Sequence, residues 1–167
     1  MTRFDTFLAA VLDQAGREAR DDGSSMVEAH HVLLAIAGSG EPSTGRLLSS
    51  VGLDQGTIRD ALGREFEQSL AAAGVSLGRA DVPRPDRTRE PSPPLGSSVK
   101  LALERGLGAT GRRRDLRPAH LLMGIVQAQV GTVPRALALA GVDRATLVER
   151  TRRAIAGEGG GTDDDRR

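Results

Sequence analysis

His31-Val32-Leu33-Leu34-Ala35-Ile36 returns later in the chain as His120-Leu121-Leu122-Met123-Gly124-Ile125, and everything else in the sequence can be placed from that return. A slide of 89 residues, the step from His31 to His120, lays Leu48 on Leu137, Gly52 on Gly141, Leu53 on Val142, Asp54 on Asp143 and Ile58 on Leu147. Upstream of the histidines a slide of 88, the step from Val11 to Val99, matches better: Ala15 falls on Leu103 and Ala19 on Leu107. The second copy therefore carries one extra residue ahead of its histidine, which the loop Gly111-Arg112-Arg113-Arg114 is expected to hold. The unit is longer than a solenoid repeat and two copies are too few for a stacked array, so a duplicated small helical module is expected.

Within the first copy, Phe4, Phe7, Leu8, Val11, Leu12, Ala15 and Ala19 step by three and four, the stripe of an amphipathic helix over 4–20. Gly23-Ser24-Ser25 ends it. The stretch 29–37 is apolar nearly all round and is predicted to be a buried helix. After the break at Gly38 to Pro42, Ser43 or Thr44 is expected to cap a short third helix through Leu47, Leu48 and Val51, with Gly52 as a left-handed terminator. Asp54 is expected to cap a fourth, carrying Ile58, Ala61, Leu62, Glu65 and Phe66 on successive turns. The second copy repeats the plan over 97–109, 118–128, 133–140 and 143–156. The expected fold class is all-α: two pseudo-symmetric four-helix modules, 1–73 and 95–156, joined by a Pro/Arg-rich linker over 74–94. Within that linker Val82 to Pro94 holds five of the eight prolines, which deny helix and favour an extended path. The tail 157–167 has no apolar side chain to bury and is expected to be disordered.

The composition narrows the function classes. The 167 residues suit one domain, or two half-domains sharing a core. With 23 basic against 22 acidic residues the formal charge is +1, which gives no overall field for holding a polyanion, so nucleic acid is a disfavoured partner. The absence of cysteine removes disulfides, thiol nucleophiles and thiolate metal sites. No apolar run reaches the length of a membrane span, and Asp5 and Asp13 interrupt the N-terminal segment, unlike the apolar core of a signal peptide; a cytoplasmic location without a membrane partner is expected. Three Phe and no Trp or Tyr leave the core to Leu, Val, Ile and Ala, a set that favours closely packed helices.

The pattern from Phe4 to about Ile155 resembles the Clp N-terminal repeat family, the double-repeat N-domain of ClpA/ClpC-type AAA+ unfoldases. In that family each repeat reaches a Thr-Glu-His loop followed by Leu-Leu-Leu-Gly-Leu or similar, and closes on a Leu-Gly-Val type turn. Here those elements read His31 to Ile36 with Val51-Gly52-Leu53, and His120 to Ile125 with Ala140-Gly141-Val142. The resemblance implies a pair of Clp repeats that binds proteins and does no chemistry: an adaptor, decoy or regulator engaging Clp substrates, peptide ligands or the protease machinery. Two other functions stand beside it. Related domains are targets of cyclic peptide antibiotics, so a free copy would sequester such a small molecule; against this, the Phe that opens the family's second repeat has no counterpart around Ser92-Pro93-Pro94-Leu95. A DNA-binding helical regulator would use Arg112 to Arg114. No Gly-x-x-x-x-Gly-Lys-Ser/Thr occurs and Lys100 is the only lysine, so no ATPase is expected in this chain.

The candidate partner-binding residues are Glu28, His30, Ala119, Arg112, Arg113, Arg114 and Arg117. In the family the Glu just before the His is a recognition residue, reported to hold phosphoarginine in some members, and its places are taken here by His30 and Ala119. Neither can pair a guanidinium as a carboxylate does, so phosphoarginine binding is not expected; both positions are expected to lie outside the deep core. Glu28, two residues earlier, is expected to point elsewhere. His31 and His120 are read as structural, each a neutral imidazole satisfying N–H groups at a helix start. Adjacent His30 and His31 are expected to diverge on their helix, and too few ligands exist for zinc, so no metal site is expected. No serine has an activating context, and neither catalytic residues nor a cofactor is expected. Arg112-Arg113-Arg114 with Arg117 is the densest basic cluster, either a surface for a phosphate or acidic segment or a solvated loop. Phe4 and Phe7 are candidate anchors for a partner, with Phe7 at least expected in the core.

Overall fold

A computed structural model describes residues 1–75 and 91–159. Thr2 opens α1 (Arg3–Asp22): its hydroxyl accepts the Asp5 N–H at 3.1 Å while the Asp5 carboxylate accepts the Thr2 N–H at 2.9 Å, a reciprocal cap. Gly23, at φ +80°, closes the helix as the sequence leads one to expect. α2 (Ala29–Gly38) follows. α3 (Pro42–Ser50) begins earlier than predicted. Its cap is neither Ser43 nor Thr44 but Glu41, whose carboxylate accepts the Thr44 N–H at 2.9 Å; Pro42 is preorganised for the first helical position and draws the start forward. Asp54 caps α4 (Gln55–Ala72) through the Thr57 N–H at 2.7 Å.

The second half holds α5 (Ser97–Leu107), a single 3₁₀ turn (Arg113–Asp115) in the loop with the extra residue, α6 (Pro118–Val126), α7 (Thr132–Leu139) and α8 (Arg144–Gly159). Helix α8 continues through Gly157, so the expected tail does not start there; 160–167 lie outside the described residues. So do 76–90, which take in most of the proline-rich linker. The turn between third and fourth helices is the same in both halves: Leu53 N–H to Leu48 carbonyl and Val142 N–H to Leu137 carbonyl are both 2.9 Å, around Gly52 at φ +77° and Gly141 at φ +74°. Among the described residues there is no strand, only an isolated bridge between Val27 and Leu95.

The halves share their core. α1 lies along α2 and α5 along α6, but α4 packs most extensively on α7, and α3 reaches α6 and α8. One apolar cluster runs from Phe4 to Leu147 through both halves. Its centre is the repeated stretch, with Val32, Leu33, Leu121, Leu122 and Ile125 at most 1% exposed. Of the run Ile58, Ala61, Leu62, Glu65 and Phe66 on α4, Phe66 turns outward and is 56% exposed, whereas Glu65 is buried. The Glu65 carboxylate accepts Arg135 Nε from α7 at 2.8 Å and Ser69 Oγ at 2.7 Å, so its charge is paired across the halves. A second buried acid, Glu18, takes both terminal nitrogens of Arg59 at 3.0 and 3.2 Å, tying α1 to α4.

Candidate functional site

Both central helices start on the same hydrogen bond. His31 and His120 are the third residues of α2 and α6, and the Nδ1 of each accepts the N–H of the preceding cap residue, Glu28 at 2.9 Å and Arg117 at 3.0 Å. A backbone N–H can only donate, so Nδ1 is unprotonated and the proton sits on Nε2. For His31 that Nε2–H donates to Asp22 Oδ2 at 2.7 Å. The two histidines are thus structural caps, as their position suggests.

The neighbouring rings do not diverge. His30 and His31 lie with centroids 3.9 Å apart, and His30 Nε2 comes within 3.9 Å of the same Asp22 oxygen, because both side chains fold back toward the end of α1. Burial disfavours the Asp22 charge, but hydrogen bonds from His30, His31 and Ser24 outweigh it and hold the carboxyl well below the usual carboxylate range. Asp22, His30 and His31 each bring one ligand atom within 4.8 Å of the others, a trio with metal-like spacing. Its chemistry does not suit a metal. A ligating imidazole donates through its second nitrogen, whereas His31 Nδ1 faces an N–H donor, so coordination through Nε2 would require an imidazolate or the loss of the α2 cap.

The entry turns of α2 and α6 each form one wall of a cleft whose other wall comes from the opposite half. Entry to α6 meets the N-terminal ends of α1 and α3 in a cleft of about 620 Å³ containing Arg3, Arg46, Arg114 and Arg117 over Phe4, Phe7, Leu116 and Pro42. Entry to α2 meets α5 and the start of α7 in a smaller cleft of about 250 Å³, lined by Leu101, Ile125, Val130 and Val133 with Glu28, His30 and Arg105. The pseudo-symmetry makes Glu28 and Arg117 equivalent, each the cap of its central helix. One position thus carries opposite charge in the two clefts.

The structure places the sequence candidates unequally. Glu28 is engaged inside the protein: its carboxylate accepts a hydrogen bond from Ser98 Oγ, whose oxygen in turn accepts the Ala29 N–H at 2.8 Å. His30 is half-buried and lines the smaller cleft. Ala119, contrary to expectation, has no exposed surface, because α6 turns its second residue into the shared core. Arg113 reaches Asp5 at 3.0 Å and fastens the loop to the start of α1. That contact and the Thr2 cap lower the Asp5 pKa to about 2, with the Thr2 backbone N–H the largest cause. Arg114 and Arg117 line the larger cleft, while Arg112 is exposed and does not. Phe4 is core, so it offers no anchor; Phe7 is partly buried and lines the cleft. Sequence reasoning missed Arg3 and Arg46, which join Arg114 and Arg117 only through the packing of three helix starts. No local pattern marks either one.

No protein-family model matches the chain, and no curated protein matches it. Among solved structures, the N-terminal domain of the caseinolytic protease associated chaperone ClpD from Arabidopsis thaliana superposes with a TM-score of 0.62 over 89% of this chain and 92% of that one, at 19% identity. The likeness is one of fold, and the all-helical architecture described above is Clp N-domain-like.

Proposed function

We propose that the chain is a non-catalytic protein-binding module that presents its two inter-half clefts to a partner, and that it acts as an adaptor, decoy or regulator of Clp-type protease or chaperone function. The observation that carries this reading is the pair of clefts at equivalent places of a duplicated, Clp N-domain-like fold, each open to solvent and each mixing apolar floor with charged rim. Such mixed concave surfaces suit peptide segments, whose backbone and side chains need both kinds of contact. His31 and His120 are tied into the caps of α2 and α6, which gives these two imidazoles a positioning role rather than a catalytic one.

The test has two parts. A photo-crosslinking residue at Ser43 in the larger cleft or Leu101 in the smaller one should capture a protein partner that the same residue at exposed Glu67 does not. Added to a ClpC-type unfoldase and its protease, the chain should change the degradation rate of an adaptor-dependent substrate. No cleft-specific crosslink, together with an unchanged rate at large excess of the chain, would overturn the reading.

A further inference from the structure

We infer that the larger cleft takes an acidic segment of the partner, a peptide whose carboxylates pair with Arg3 and Arg46 while an apolar side chain rests against Phe7; this rests on the protein-binding reading above. The chain as a whole is nearly neutral at +1, yet this cleft gathers four guanidinium groups against one carboxylate, Glu41. Glu41 does not neutralise them. Its carboxylate accepts Ser43 Oγ at 2.7 Å and Thr44 N–H at 2.9 Å and is committed to the start of α3. Arg117 is partly committed, with Nη1 donating to the carbonyls of Arg114 and Leu116 at 3.2 and 3.3 Å, and Arg114 comes no nearer than 4.0 Å to exposed Asp115. The side chains of Arg3 and Arg46 form no hydrogen bond or ion pair with any described residue.

The starts of α1, α3 and α6 open on the same space, and their positive dipole ends favour the same sign of ligand. Guanidinium groups pair carboxylates through two parallel hydrogen bonds, which a peptide acid can satisfy from solvent-exposed positions. A peptide is favoured over a nucleic acid by the apolar floor of Phe7, Leu116 and Pro42 and by the lack of any net field beyond the cleft. The smaller cleft lacks this character, since Glu28 stands there where Arg117 stands here.

Fluorescence anisotropy tests the inference with a short fluorescein-labelled peptide of Glu and Asp around one Leu, set against the same peptide with Gln and Asn in place of the acids. The acidic peptide should bind and weaken with added salt; the neutral one should not bind. Arg3→Glu with Arg46→Glu should weaken binding by about tenfold or more, as loss of two charge-assisted pairs requires, while Arg64→Glu on α4 should leave it unchanged. If that double variant does not fold by circular dichroism, Arg3→Gln with Arg46→Gln gives the same comparison without charge reversal. Equal binding of the neutral peptide, an equal loss from Arg64→Glu, or preferential binding of duplex DNA over the acidic peptide would overturn it. A partner that crosslinks from Leu101 while the acidic peptide fails to bind sinks this inference and leaves the protein-binding reading standing; absence of any crosslink and of any rate effect removes both.

Discussion

Ala119 occupies the second position of α6 with none of its surface exposed, whereas its counterpart His30 keeps a fifth of its side chain in solvent. A carboxylate at 119 would be buried without a cationic partner, so Ala119→Glu should cost more than about 4 kcal/mol, at the far end of single substitutions. His30→Glu should cost less than half as much, despite approaching Asp22, because its carboxylate can stay hydrated. Urea midpoints of the two variants measure the difference, and equal losses would mean that the 119 position opens in solution. Asp5 supplies a second residue-scale expectation. Its pKa lies at about 2 against an ordinary value of 3.8, so the ionised form favours the folded state; that contribution is present above pH 3.8 and is lost as pH falls toward 2. The difference in melting temperature between the parent and Asp5→Asn should therefore shrink across that window. A constant difference down to pH 2 would show that Asp5 does not couple the Thr2 cap and Arg113 to stability.

The two halves solve the same helix crossing with different residues. In the first, α1 lies along α2 with Ala15 and Ala19 fully buried, and α2 carries Ala35. In the second, α5 meets α6 at Ala102 and Gly106, and α6 carries Gly124 where α2 has Ala35. A Cβ on Gly124 would come within 2.0 Å of the Ala102 carbonyl oxygen, and one on Gly106 within 2.3 Å of the His120 carbonyl oxygen. The glycines let α5 and α6 approach backbone to backbone. Gly124→Ala should thus force the helices apart and destabilise by about 1–3 kcal/mol, despite the higher helix propensity of alanine. Chemical denaturation checks the sign: a stabilised variant would mean that the crossing is looser than described. The glycine in the second copy of the repeat is plain in the sequence, but its role is not, since only the position of Ala102 on the facing helix makes a methyl group too large.

For the molecule as a whole, the shared core predicts shared unfolding. Leu33 and Leu122 are equivalent residues of α2 and α6, with 1% and 0% exposure, and both lie in the one apolar cluster. Leu33→Ala and Leu122→Ala should each cost about 2–5 kcal/mol. Each should lower a single urea transition seen alike by circular dichroism and by hydrogen exchange in both halves. A separate transition for the mutated half would show that the halves fold independently. The Glu65–Arg135 bridge from α4 to α7 works in the same direction, because opening the second half would leave the buried Glu65 carboxylate without its guanidinium.

The sequence by itself determined the all-helical class, the duplication, and nearly every helix and turn, because those follow from interactions within a few residues. Gly52 and Gly141 terminate helices by adopting φ values open to glycine, Asp54 reaches an N–H three residues on, and apolar residues nearly all round mark α2 and α6 for burial. His31 and His120 were legible as caps for the same reason, their partners being three residues away. The convergence of His30 and His31 on Asp22, the burial of Glu65 and Ala119, and the joining of Arg3 and Arg46 with Arg114 and Arg117 were decided only by tertiary structure. Each depends on how helices distant in sequence pack, and no local preference fixes the side of a helix on which a distant partner will lie.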